Sequence, residues 1–160
     1  MRIEALTAEK AEAYRKEIAQ FYYENAISCS CLDHYTYDAA YDKMGSLIDH
    51  LRDDTAVVFG AFHDEEIVGF VWAYTHQFRE ENRMYVNEIH VKEEYRNRGI
   101  GSQLLKLVED KATEQKLGAL YLHVEANNPT AVRVYQKCGY SIERIQLKKS
   151  KKQDNHYCDE

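Results

Sequence analysis

At 160 residues, 44% hydrophobic and 30% charged, the chain carries enough apolar material for one packed core and is short for two. That composition excludes wholesale disorder and predicts a single domain over 1–147 with a hydrophilic tail over 148–160. The net charge of −6 weighs against nucleic acid and for a cationic substrate, and no apolar run approaches bilayer length, so a cytoplasmic protein is expected. Four cysteines, Cys29, Cys31, Cys138 and Cys158, are too few and scattered for a disulfide framework; Cys29-Ser-Cys31 lacks the second ligand pair that structural zinc needs.

Residues 1–6 alternate and predict a first strand. Thr7 is placed to cap a helix with Ala11, Tyr14, Ile18 and Phe21 on one face. The pattern breaks between Tyr22 and Tyr37, then resumes as a second amphipathic helix through Ala40, Met44, Leu47, Ile48 and Leu51. Residues 56–62 and 67–74 predict a hairpin with a polar turn at His63-Asp64-Glu65-Glu66. A charged excursion over 77–83 leads to a fourth strand, 84–91. A helix from Ile100 carries Leu104, Val108 and Ala112 on one stripe and is expected to stop at a left-handed Gly118. A fifth strand follows over 119–125. Asn128-Pro129 reads as a helix cap with proline at the first helical position, and that helix runs to Gly139. A last strand is expected over 140–147, and the lysines at 148, 149, 151 and 152 read as a solvated end.

The fourth and fifth strands are each followed by a helix, so they should be parallel and central, and central parallel strands should be continuously apolar. These are not. Period-two alternation puts Glu88 with His90 on one face, and Tyr121 with His123 and Glu125 on another. Ionisable groups on inner strands are costly unless paired or facing a cleft. For each of them alone, a hydrogen-bonded core residue is the plainer account; the cluster beside Gly99-Ile100-Gly101 is a candidate active site. Free N–H groups at a helix start, with glycines that admit close approach and Arg96 and Arg98 nearby, form a cradle for phosphate oxygens. No Lys-Ser/Thr follows, so this is not a P-loop.

The run from Val91 through Arg96-Asn97-Arg98-Gly99-Ile100-Gly101-Ser102 resembles the acyl-CoA signature of the GNAT superfamily of N-acetyltransferases. Asn127-Asn128-Pro129 through Ala131 and Tyr135 to Gly139-Tyr140 is similar to that family's downstream segment, at the expected order and spacing. The resemblance implies a mixed, mostly antiparallel α/β (α+β) sheet with its fourth and fifth strands parallel and splayed, flanked by helices. It implies acetyl-CoA as co-substrate, with no metal, and direct transfer to a primary amine in a ternary complex.

By the same resemblance Ile89, His90 and Val91 would pair with pantetheine, Arg96 to Ser102 would receive the pyrophosphate, and Asn128 would bond the pantetheine amides. An N–H near Ile89 would polarise the thioester carbonyl. Glu88 takes the place of the base, with His123 and Glu125 as alternatives, and Tyr135, otherwise readable as a core aromatic, takes that of the acid that protonates sulfur. Tyr22, Tyr23, Asp33, His34, Tyr35, Tyr37 and Asp38 fall where the family shapes its acceptor pocket. The acceptor is expected to be a small-molecule or peptide amine, with no nucleic acid and no membrane; a homodimer is left open. The alternative is an acyl-CoA sensor that binds without turnover.

Overall fold

In the computed structural model, which describes residues 1–28 and 34–147, five strands form one sheet in the order β1-β2-β3-β4-β5. They are β1 (Arg2–Ala5), β2 (Ala56–His63), β3 (Glu66–Phe78), β4 (Glu81–Val91) and β5 (Ala119–Leu122). Neighbours among the first four are antiparallel, whereas β4 and β5 are parallel and joined through helix α4 (Ile100–Glu114), because a parallel pair needs a crossover. The mixed, mostly antiparallel sheet with β4 and β5 parallel is the expected one, but β5, expected to be central, stands at the edge.

Three helices precede β2: α1 (Ala8–Ala13), α2 (Arg15–Ser28) and α3 (Tyr37–Arg52). Their apolar stripes pack on one face of the sheet, where Ile18, Phe21, Met44 and Leu47 meet Phe62, Phe70 and Trp72. The opposite face is closed by α4, whose Leu104, Leu105 and Val108 cover Val68, Val71 and Met84. Each such side chain contributes about 1.5–3 kcal/mol of burial. Thr7 caps α1, accepting from the Lys10 N–H at 3.3 Å, and Thr36 caps α3 from Ala39 at 3.2 Å. The single first helix expected from its stripe is broken at Tyr14, whose hydroxyl donates to the Glu65 carbonyl in the β2–β3 turn.

Four expectations are corrected. The excursion over 77–83 is mostly strand, with a turn only at Arg79 and Glu80; its charges are accommodated because Arg83 lies 2.6 Å from Glu81 and 2.8 Å from Glu143. Helix α4 stops before Gly118: Lys116 takes the left-handed place at φ +54°, and the Leu117 N–H returns to the Ala112 carbonyl. Gly118 answers a different need, since a Cβ there would collide with the Glu81 side chain. β5 ends at Leu122, before His123 and Glu125.

Residues 141–147 form no strand. Ile142, Ile145 and Leu147 are spaced by three and then two, so they share no strand face and all remain exposed. Cys29, Cys31, Asp33, Cys158 and the lysines of 148–160 lie outside the described residues. Among the described residues no helix is long and apolar enough to cross a membrane.

Candidate active site

β4 pairs with β3 in register from Gly69↔Val91 to Trp72↔Glu88, then slips to Ala73↔Val86, leaving Asn87 as a bulge. The extra residue changes which side chains face which core. Before it, Met84 and Val86 pack under α4; after it, Ile89 and Val91 take that side, and Glu88 and His90 turn toward α2. The ladder to β5 ends at the same level, with Val86↔Leu122 as its last pair. From Glu88 to Val91, β4 is therefore paired only with β3, and its other side can receive an extended ligand. Asn87 Nδ2 is buried at this point without a partner.

Glu88 is largely buried, and that desolvation pushes its carboxyl up to about 7, against hydrogen bonds from Asn25 and from the Ile89 N–H that hold it down. Asn25 Nδ2 lies 2.5 Å from Glu88 Oε1. Burial, and after it the Glu88 charge, raise the Tyr135 hydroxyl, and the Tyr135 ring packs with the core under α4. Tyr135 is carried by α5 (Pro129–Lys137), capped by Asn128 Oδ1 accepting from the Ala131 N–H at 3.1 Å. At its other end Gly139, at φ +92°, lets the Tyr140 N–H return to the Tyr135 carbonyl. That turn sets the Tyr140 ring edge-on against the Tyr135 ring, 5.8 Å between centroids, and so fixes the ring's place.

The turn between β4 and α4 has the features of an anion cradle. Gly99 holds φ +77° and offers α4 no side-chain cap, so the first N–H groups of the helix are left without one. A Cβ at Gly101 would meet only Val91 Cγ2, at 3.9 Å; packing leaves room there that the glycine keeps clear. Ile100 contributes its backbone alone, since its side chain is buried under the sheet. The Arg96 and Arg98 guanidiniums bend back to donate to the Val91 and Glu94 carbonyls, each at 2.9 Å. Uncapped helix N–H groups and clear space at Gly101 suit an anion at this turn. Beyond Val86 the open side of β4 has its Ile89 and Val91 carbonyls accepting from Asn25 and Arg96.

On the acceptor side, rings gather around Glu88. Tyr22 of α2 and Tyr35 are 6.1 Å apart, and burial with nearby Glu88 raises both hydroxyls, that of Tyr22 to about 12. Tyr85 is likewise pushed up to about 12 by burial; its hydroxyl lies 3.1 Å from His123 Nδ1. Tyr74, His76 and Tyr121 continue this ring surface. Tyr23 and Tyr37 instead meet edge to face at 6.4 Å beside α3, the latter bonded to the Lys16 carbonyl. His123 and Glu125 are exposed, beyond the end of β5, and lack the enclosure of Glu88.

Asn25 and His90 are brought together with Glu88 in a way the sequence reading missed. The available signal was positional: Asn25 continues the Ile18–Phe21 stripe of α2, a polar residue where an apolar one is due. The His90 side chain, expected on the face of Glu88, is buried against α2 with its ring stacked 4.7 Å from Phe21. Among the described residues no group of three or more His, Cys, Asp and Glu side chains stands ready for a metal ion.

Residues 12–140 match the model of the acetyltransferase (GNAT) family. An uncharacterized N-acetyltransferase, YdgE, of Bacillus subtilis (strain 168) is 26% identical over 150 residues, covering 92% of this chain and 96% of that protein. A spermine/spermidine N(1)-acetyltransferase of the same organism is 29% identical over 88 residues, 52% of this chain and 58% of the relative. Among solved structures, an aminoglycoside acetyltransferase from an uncultured soil metagenomic sample, in complex with sisomicin, shares the fold with a TM-score of 0.69 at 15% identity, covering 94% of this chain and 96% of that one.

Proposed function

As the chain belongs to the acetyltransferase (GNAT) family, we propose that it moves an acetyl group from acetyl-CoA to a primary amine by direct attack in a ternary complex. The observation that carries this reading is Glu88, a carboxyl buried beside the β4 bulge with a proton affinity near neutrality, at the level where the β4–β5 ladder ends. Acetyl-CoA supplies an acyl group already activated as a thioester.

The chain's residues do the rest. The α4 N-terminus and Gly99-Ile100-Gly101 hold the pyrophosphate, with the helix dipole adding to the field. Ile89 to Val91 align the pantetheine arm. Glu88, as carboxylate, removes the proton that the amine must lose as its nitrogen bonds to the carbonyl carbon. An N–H of β4 near Ile89 stabilises charge on the carbonyl oxygen. Tyr135 gives its hydroxyl proton to the sulfur as the C–S bond breaks.

The acceptor is read as a cationic amine. Tyr22, Tyr35 and Tyr85 offer ring faces beside one carboxylate, a surface suited to cation–π contact. The polyamine named for one relative and the aminoglycoside bound to one structural neighbour are both of this kind.

The test is release of CoA thiol from acetyl-CoA with a panel of polyamines, aminoglycosides, amino acids and peptides. Turnover with at least one amine is expected, falling about 10²–10⁴-fold in Glu88→Gln while acetyl-CoA still binds. Binding of acetyl-CoA without thiol release on any amine would overturn the reading.

A further inference from the structure

One side chain of α2 reaches the candidate base from outside β4. Asn25 Nδ2 donates to Glu88 Oε1 at 2.5 Å and to the Ile89 carbonyl at 3.2 Å. Its Oδ1 lies 2.9 Å from His90 Nδ1. These partners allow only one arrangement. Both groups on the Nδ2 side are acceptors, so the amide nitrogen must face them; Oδ1 then requires a donor, and His90 must carry its proton on Nδ1. His90 has little freedom to do otherwise, because it is 5% exposed and stacked on Phe21 at 12° between ring planes.

We propose that Asn25 is a positioning residue, held by His90, that fixes the Glu88 carboxyl beside the end of the β4–β5 ladder and favours its ionised form. The order of control runs from the histidine ring through the amide to the carboxylate. His90 fixes which way the amide points, and the amide holds one carboxylate oxygen, with the Ile89 N–H as the carboxyl's second donor. A donor to a buried carboxylate stabilises the charged state, here against the desolvation that opposes it.

The groups facing this relay leave the task to Asn25. Tyr22 on α2, Tyr35 before α3, Tyr85 on β4 and Tyr135 on α5 surround Glu88, and all have hydroxyls raised by burial and by its charge. No cation acts on Glu88 among the influences that shift it. Around His90, the Glu24 carboxylate at 3.5 Å from Nε2 favours protonation, while Lys92, Arg96 and, above all, burial oppose it. Burial prevails and keeps the ring neutral near pH 7; with its proton on Nδ1, Nε2 is buried without a hydrogen-bond partner.

The inference rests on Glu88 being the base, and the experiment separates the two. The Glu88 carboxyl is titrated by NMR in the full chain with carbon-13-labelled glutamate, together with the pH profile of kcat/KM. In Asn25→Leu the Glu88 midpoint is expected to rise by about one to two pH units, as a charge-assisted hydrogen bond to the carboxylate is lost. The acid limb of kcat/KM should move up with it. In His90→Phe, which keeps the ring stack on Phe21 and removes the Nδ1 donor, the shift should have the same sign and be smaller. An unchanged midpoint in both folded variants overturns the inference. A midpoint that moves while the rate profile stays fixed upholds the relay and removes Glu88 from the role of base.

Discussion

Tyr135 is held by the structure for one reason and assigned to chemistry for another, and its hydroxyl separates them. The ring is fixed by the turn after α5, in which Gly139 folds Tyr140 back onto it. Phe at 135 keeps that ring, the turn and the packing under α4, and removes only the oxygen. Tyr135→Phe should therefore melt close to the parent and bind acetyl-CoA as well, while kcat falls about 10²–10⁴-fold. Steady-state thiol release with calorimetric binding measures both; an unchanged kcat would reduce Tyr135 to a core aromatic. Glu88 was legible as a candidate because it stands two before His90 on one strand face, whereas Tyr135 became one only through the resemblance, its spacing alone reading as a core aromatic. Asn25 was not legible, because its partners lie 63 to 65 residues away and a single asparagine on a helix carries no mark of what it will meet.

At the scale of elements, caps and stripes were readable, since each is decided by a few neighbouring residues. Thr7, Asn128 and Gly139 act where the chain's punctuation puts them. The bulge at Asn87 was not readable, because it depends on how β4 registers against β3 and on where β5 stops. The expected strand over 140–147 failed for a local reason: Ile142, Ile145 and Leu147 share no strand face and stay exposed. The α4 N-terminus gives a test at this scale. Gly99→Ala should cost about 1 kcal/mol or more, from a Cβ in the left-handed region. Gly101 has ordinary helical backbone and room for a Cβ, so Gly101→Ala should be neutral or add up to about 1 kcal/mol. Gly101→Leu should fold and lose acetyl-CoA, because its longer side chain fills the cradle. Tight binding by folded Gly101→Leu, in denaturant melts and titration calorimetry, would take the pyrophosphate away from this turn.

For the whole molecule, Glu88 and His90 set two opposed pH dependences against each other. Glu88 is raised from 4.5 to about 7 by burial, so between those values the folded state holds a proton that the unfolded chain has lost. Its contribution is fully present below pH 4.5 and is lost as pH rises through 7. His90 is lowered from 6.5 to about 4, again by burial, so between those values the unfolded chain holds the extra proton. Its contribution is present above pH 6.5 and is lost as pH falls through 4. Each amounts to about 3 kcal/mol. Over pH 4.5–6.5 the two slopes have opposite sign and nearly equal size, so this pair leaves the parent's stability almost flat. Removing one member should expose the other: as a difference from the parent, Glu88→Gln gains stability as pH rises from 4.5 to 7, and His90→Phe loses it from 4 to 6.5. Surface carboxylates lowered by salt bridges, such as Glu4 and Glu143, act alike in all three proteins and cancel from the differences. Urea unfolding at half-unit pH steps reads those differences directly. Parallel curves for parent and both variants would mean that neither group titrates with folding, and that the polar cluster at the bulge is solvated rather than enclosed.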